Sequence, residues 1–208
     1  MTGLDNMIYK YIKKSLENEL GKKNITKIQQ ELQSWYQIDL DEAIIQFEKL
    51  DRVLTNIYGK IPARALEKKF ISPILDATSS SKGTTVFTIK DSELRQLILA
   101  VIGDDSFRKI FDAMNGKIMT LLDILEKAEL DLSEQSQYRK ADVLIKNGLI
   151  VESGSIIGKG GRNVKTYQKM FEEINITVDK GNEIQVVMTV DNKSVLEKSL
   201  IMSTVSRS

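Results

Sequence analysis

Residues 133–170, SEQSQYRKADVLIKNGLIVESGSIIGKGGRNVKTYQKM, carry the reading that decides the fold. Ser133 is a good helix N-cap, and Ala141, Leu144 and Ile145 give the helix behind it one apolar side. Asn147-Gly148 stops that helix. Leu149-Ile150-Val151 then reads as a strand. The cluster Gly158-Lys159-Gly160-Gly161-Arg162-Asn163 forms a loop, and Val164 to Met170 returns as a second strand or as a helix. Periodicity leaves both open.

Upstream, Phe107, Ile110, Phe111 and Met114 make one helix face, closed by Asn115-Gly116. Thr120 and Asp123 form a T-x-x-D helix start, followed by the wide apolar face of Leu121, Leu122, Ile124, Leu125 and Ala128. Val86 to Ile89 reads as a short strand, and Asp91-Ser92 caps a helix running to Ile102. Downstream, Ile174, Ile176 and Val178 alternate, Lys180-Gly181-Asn182 is a turn, and Ile184, Val186, Met188 and Val190 alternate again, which predicts a hairpin. Residues 194–203 read as a closing helix.

From Asp5 to Leu75 the pattern is helical throughout. Ile8 and Ile12, then Ile25, Ile28, Leu32 and Trp35, then Ala43, Phe47, Leu50, Leu54 and Ile57 recur at three-to-four spacing. Gly21 with Lys22-Lys23 suits the end of the first helix. A fourth begins near Pro62, carries Leu66 and Phe70, and meets Pro73. Between Asp76 and Thr85 the sequence DATSSSKGTT has the composition of a flexible linker. The expected fold class is mainly α with a small β component: an N-terminal helical domain over 1–75, a linker over 76–90, and a second domain over 91–208.

Composition narrows the chemistry. The 208 residues include no His and no Cys, which excludes Ser-His-Asp and Cys-His catalysis, disulfides and zinc sites built on those side chains. No apolar run has the length of a membrane span or a signal peptide, so a cytoplasmic protein without membrane contact is expected. Lys and Arg number 30 against 29 Asp and Glu, a net charge of +1, so any anionic partner must be held by local charge. Residues 132–170 supply it, with seven basic side chains (Arg139, Lys140, Lys146, Lys159, Arg162, Lys165, Lys169) against Glu134, Asp142 and Glu152.

Three helices, a strand, a Gly-rich basic loop and a further segment spell a winged helix-turn-helix. In that arrangement the third helix presents its N-terminal half to the major groove while a hairpin wing grips flanking phosphates. Ser133, Gln135, Ser136, Gln137, Tyr138, Arg139 and Lys140 are the candidate DNA-binding residues on the helix; Gln suits adenine, and Arg or Lys suits guanine or phosphate. Lys159, Arg162, Asn163 and Lys165 are the candidates in the wing. No catalytic residue, metal ligand or cofactor is expected, and the chain is read as a non-enzyme.

Residues 106–190 resemble the archaeal-type winged-helix transcriptional regulators of the broad ArsR-like class. The resemblance rests on Thr120, Tyr138-Arg139-Lys140, Gly148-Leu149-Ile150, Gly158-Lys159-Gly160-Gly161-Arg162 and Lys165-Thr166-Tyr167, with the hairpin from Ile174 to Val190. It implies a transcriptional regulator bound to double-stranded DNA as a homodimer; whether a small-molecule or protein effector acts on it is left open by the sequence.

Two other readings compete. Gly158 to Gly161 is similar to the GXXG loop of a KH domain, which clamps single-stranded nucleic acid and would make the segment after the loop a helix. The N-terminal helices, alternatively, form a protein-interaction module, since fold alone does not fix function. A P-loop fails on spacing, because Gly154 and Gly158 stand too close and Gly160 occupies the Ser/Thr position. The acidic pairs Asp39/Asp41 and Asp104/Asp105 read as helix starts, and Trp35, Tyr36 and Phe47 as core aromatics.

Overall fold

The computed structural model describes residues 3–79, 83–158 and 160–191. The chain is mainly helical, and its strands form two antiparallel sheets. Helix α1 (Gly3–Tyr36) is broken at Gly21, whose φ of 68° and ψ of 163° are not helical. The first two expected helices therefore abut directly. Helix α2 (Leu40–Ile45), capped by Asp39, and α3 (Phe47–Tyr58) divide the third expected helix at Gln46. Helix α4 (Lys60–Ile71) carries Pro62 in its first turn, where a missing N–H costs nothing. Leu4, Ile8, Ile12, Leu16, Ile28 and Leu32 of α1 are fully buried, with Leu50, Val53, Leu54, Ala63 and Phe70 of α3 and α4. Trp35 is 46% exposed and lies edge-on to Tyr36, whereas Phe47 is core, so the three aromatics line no common pocket.

The expected linker is corrected by the structure. Strands β1 (Leu75–Ser79) and β2 (Thr84–Ile89) pair antiparallel from Leu75↔Ile89 to Ser79↔Thr85. Thr85, Phe87 and Ile89 alternate inward along β2, and the β-branched Val86 and Thr88 between them suit a pleated surface. Ile74 helps to hold the hairpin's open end, its carbonyl accepting from Lys90 and Asp91.

Helix α5 (Ser92–Gly103) follows, its N-terminus capped by Asp91. Next come α6 (Asp105–Met114), the two-residue strand β3 (Met119–Thr120), α7 (Leu121–Ala128), α8 (Glu134–Lys146), β4 (Ile150–Ile157) and β5 (Asn163–Lys169). Asn115, in the left-handed region at φ 38°, ends α6 as expected. Strand β5 settles the segment left open by periodicity, and it removes the helix that a KH-type loop requires there.

The predicted hairpin is present as β6 (Glu173–Val178) and β7 (Ile184–Asp191), paired from Glu173↔Thr189 to Val178↔Ile184. Strand β7 also pairs with β2, giving the order β1-β2-β7-β6, while β3-β5-β4 forms the second sheet. Residues 92–169 are thus inserted between two neighbouring parts of one sheet. The buried apolar side chains of the N-terminal helices, the four-stranded sheet and α5–α8 form one continuous cluster. Residues 192–208, including the expected closing helix, and the tip of the β1–β2 hairpin at 80–82 lie outside the described residues.

Candidate nucleic-acid interface

Helices α7 and α8 are fixed at their starts by side-chain caps. Thr120 Oγ1 accepts from the Asp123 N–H at 3.2 Å and donates to the Asp123 carboxylate at 2.6 Å. Ser133 Oγ accepts from the Ser136 N–H at 3.4 Å and lies 2.9 Å from the Ser136 hydroxyl. Both serines, expected among the DNA contacts, are engaged in capping α8.

Gln137 also turns inward. Its Nε2 donates to the Leu132 carbonyl at 2.9 Å and the Leu130 carbonyl at 3.3 Å, which ties α8 to the turn leaving α7. The amide that was expected to read adenine is spent on the turn. Gln137→Ala is accordingly expected to destabilise the fold by about 1–2 kcal/mol, the loss of two modest hydrogen bonds, as measured by urea unfolding. An unchanged urea midpoint would rule out this positioning role.

Lys140 leaves the candidate set for a similar reason. Its Nζ pairs with the Asp104 carboxylate and sits 4.5 Å from the centroid of the Phe107 ring. Asp104 is the N-cap of α6, accepting from the Ser106 N–H at 2.8 Å. The Lys140 hydrogen bond, joined by the backbone N–H groups of Ser106 and Phe107, holds the Asp104 carboxyl below the ordinary aspartate value against the opposing effect of burial. Lys140 therefore clamps α8 to α6.

What remains outward on α8 is Gln135, Tyr138 and Arg139, with Asp142 and Lys146 further along. Their spacing puts them on one side of the helix. Lys146 is neutralised by Asp142 at 2.7 Å, so Arg139 is the cation on this side that no carboxylate in the described residues pairs.

The β4–β5 hairpin projects from the body, with all side chains from Glu152 to Ile157 exposed. Its register shifts between Glu152 and Gly154, and Ile157 pairs with Asn163 at the far end. There the Gly158 N–H donates to the Arg162 carbonyl at 2.8 Å and the Gly161 N–H to the Gly158 carbonyl at 3.1 Å. Gly160 and Gly161 have φ of 91° and 76°, and a Cβ on Gly158 would stand 2.7 Å from Val164 Cγ2. Glycine is needed at these positions for backbone and packing reasons alike. Arg162 and Asn163 are exposed at the tip. Lys159 lies outside the described residues. Lys165 is exposed but bound to Glu152 across the strands at 2.6 Å, a contact that also raises its pKa. Ile156 and Ile157 are 51% and 78% exposed, giving the tip an apolar as well as a basic character.

Strand β3 locks the two halves together. Met119 and Thr120, immediately before α7, pair with Tyr167 and Thr166 of β5, so the residue that caps α7 also anchors the hairpin. Phe171 stacks edge-on against Phe111 of α6 at 5.1 Å. Among the described residues no His/Cys/Asp/Glu group of three or more is placed to hold a metal ion, and no helix is long and apolar enough to cross a membrane. No family model, curated protein or solved structure matches the chain.

Proposed function

We propose that residues 105–169 form a winged helix-turn-helix that binds double-stranded DNA, and that the chain acts as a homodimeric transcriptional regulator rather than as an enzyme. One observation carries the reading: the element order α6-β3-α7-α8-β4-β5, in which β3 pairs with β5 and so fastens a glycine-turned basic hairpin beside a capped helix pair. This is the connectivity by which a recognition helix and a wing are held in one frame. Gln135, Tyr138 and Arg139 face base edges from α8. Arg162, Asn163 and Lys159 contact phosphates from the wing, with Lys165 partly offset by Glu152. Ser133, Ser136, Gln137 and Lys140 position α8. No cofactor is required, and the effector is left open.

Fluorescence anisotropy against random duplex DNA and a single-stranded RNA of equal length, at low and near-physiological salt, tests the reading. Tighter, salt-sensitive duplex binding is expected. Arg162→Ala should weaken binding to all duplexes alike and lower the slope of log affinity against log salt by about 0.9, one phosphate contact. Arg139→Ala should cost about 1–3 kcal/mol on a selected site and much less on random sequence. Preference for the single strand, or an Arg162→Ala variant indistinguishable from the parent, would overturn the proposal.

A further inference from the structure

Of the four sheet edges among the described residues, three are protected against pairing with another chain. Strand β3 is two residues long, β4 carries the irregularity between Glu152 and Gly154, and β1 holds the exposed Asp76, paired with Lys90 at 2.5 Å. Strand β6, Glu173–Val178, has none of these devices over residues 174–178. Among the described residues it pairs only with β7, and no hydrogen bond from them reaches its outer edge.

The register says which backbone groups that edge offers. The Asp179 N–H donates to the Glu183 carbonyl, so 179 and 183 form a hydrogen-bonded pair of the β6–β7 ladder. Antiparallel pairs alternate, so residues 177, 175 and 173 also turn their groups toward β7. Ile174, Ile176 and Val178 consequently turn their N–H and C=O outward. Their side chains lie on the buried face of the sheet, beside Met188, Val186 and Ile184 respectively. That face runs out from under the body here: Ile176 is 39% exposed, Val178 63% and Ile184 40%.

We propose that β6 pairs antiparallel with β6 of a second copy of this chain, about a twofold axis at Ile176, to give one continuous eight-stranded sheet. The strand is complementary to itself in this register. Ile176 meets Ile176, and Ile174 meets Val178, so every outward N–H and C=O of the three residues gains a partner and the apolar sides adjoin. At the ends, Lys180 comes beside Glu172 of the second copy. Asp179 meets Glu173, with its carboxylate already held by the N–H groups of Gly181 and Glu183. A shift of two residues leaves outward groups unpaired, and a shift of one sets apolar against polar faces. The interface is isologous and closed, as a twofold dimer requires. It stands independently of the DNA reading.

Sedimentation equilibrium of the full chain tests it. The parent is expected to be a dimer, and Ile176→Lys and Ile176→Glu are each expected to be monomers, because like charges face each other at the axis. An equimolar mixture of the two variants should dimerise again, with far-UV circular dichroism unchanged throughout. Val178→Lys, at a more exposed position, should also weaken the dimer and covers the case in which position 176 does not tolerate charge. A monomeric parent, a variant as dimeric as the parent, or charge variants that fail to dimerise when mixed would overturn the proposal.

Discussion

Substituting Glu67 by Gln is expected to remove a stability loss that the parent suffers as pH rises from about 4.5 to about 8. Glu67 lies on α4, only 1% exposed, and its Oε1 has no hydrogen-bond partner among the described residues. Burial first, then the neighbouring Asp51 carboxylate and a hydrogen bond to it, push the Glu67 pKa up to about 8, with Arg64 opposing. The folded protein thus keeps a proton that the unfolded chain releases near 4.5. Stability is fully present below that value and falls until the folded group itself ionises, so the sign is a loss with rising pH. At about 1.4 kcal/mol for each pH unit of the window, the loss is on the order of 4–5 kcal/mol. Gln keeps the shape and a donor toward Asp51 without the ionisation. Urea unfolding of parent and variant between pH 5 and 9 should give converging curves at the acid end and diverging ones at the alkaline end; parallel curves would exclude this account.

The second large effect concerns Phe87, fully buried on β2. Phe87→Ala is expected to cost about 3–5 kcal/mol, the usual range for emptying an aromatic site in a close-packed core. Its wider value is in how the loss is distributed. Because the helices, the four-stranded sheet and α5–α8 share one apolar cluster, unfolding followed by Trp35 fluorescence and by far-UV circular dichroism should shift together. Trp35 is the chain's one tryptophan and belongs to α1, far in sequence from the substitution. A Trp35 transition that stays in place while the dichroism splits would show that the N-terminal helices unfold on their own.

Much of this architecture is written locally. Helices α6, α7 and α8 announce themselves through apolar spacing and through Thr120, Ser133 and Asn115, because caps and amphipathic faces act over one or two turns. The β6–β7 hairpin is legible for the same reason, its alternation and turn lying within one stretch. The β1–β2 hairpin is not. Thr84 to Ile89 does alternate, but Ser/Thr/Gly composition beside it resembles a linker, and the partner that completes the sheet is β7, after the whole inserted unit. Strand β3 is too short to carry a period at all.

The candidate interface divides along the same line. Gln135, Arg139, Arg162 and Asn163 stand exposed as their residue types suggest. Gln137 and Lys140 have equally suitable chemistry, yet the Leu130 and Leu132 carbonyls and Asp104 claim them. For Lys140 the competing partner lies 36 positions upstream, beyond the reach of any local pattern. The spacing of Thr120 and Asp123 is legible as a helix start, whereas the pairing of the same threonine with Thr166 of the hairpin is not.

The insertion of residues 92–169 between β2 and β6 has a mechanical consequence. A unit appended through one linker swivels about that single point. Here the chain leaves from β2 and returns at β6, two strands separated only by β7, so the unit is tethered at two nearby places on one sheet. Torque on α8 or on the hairpin tip is therefore passed to a pair of strands, and twisting the unit shears β7 against its neighbours on both sides.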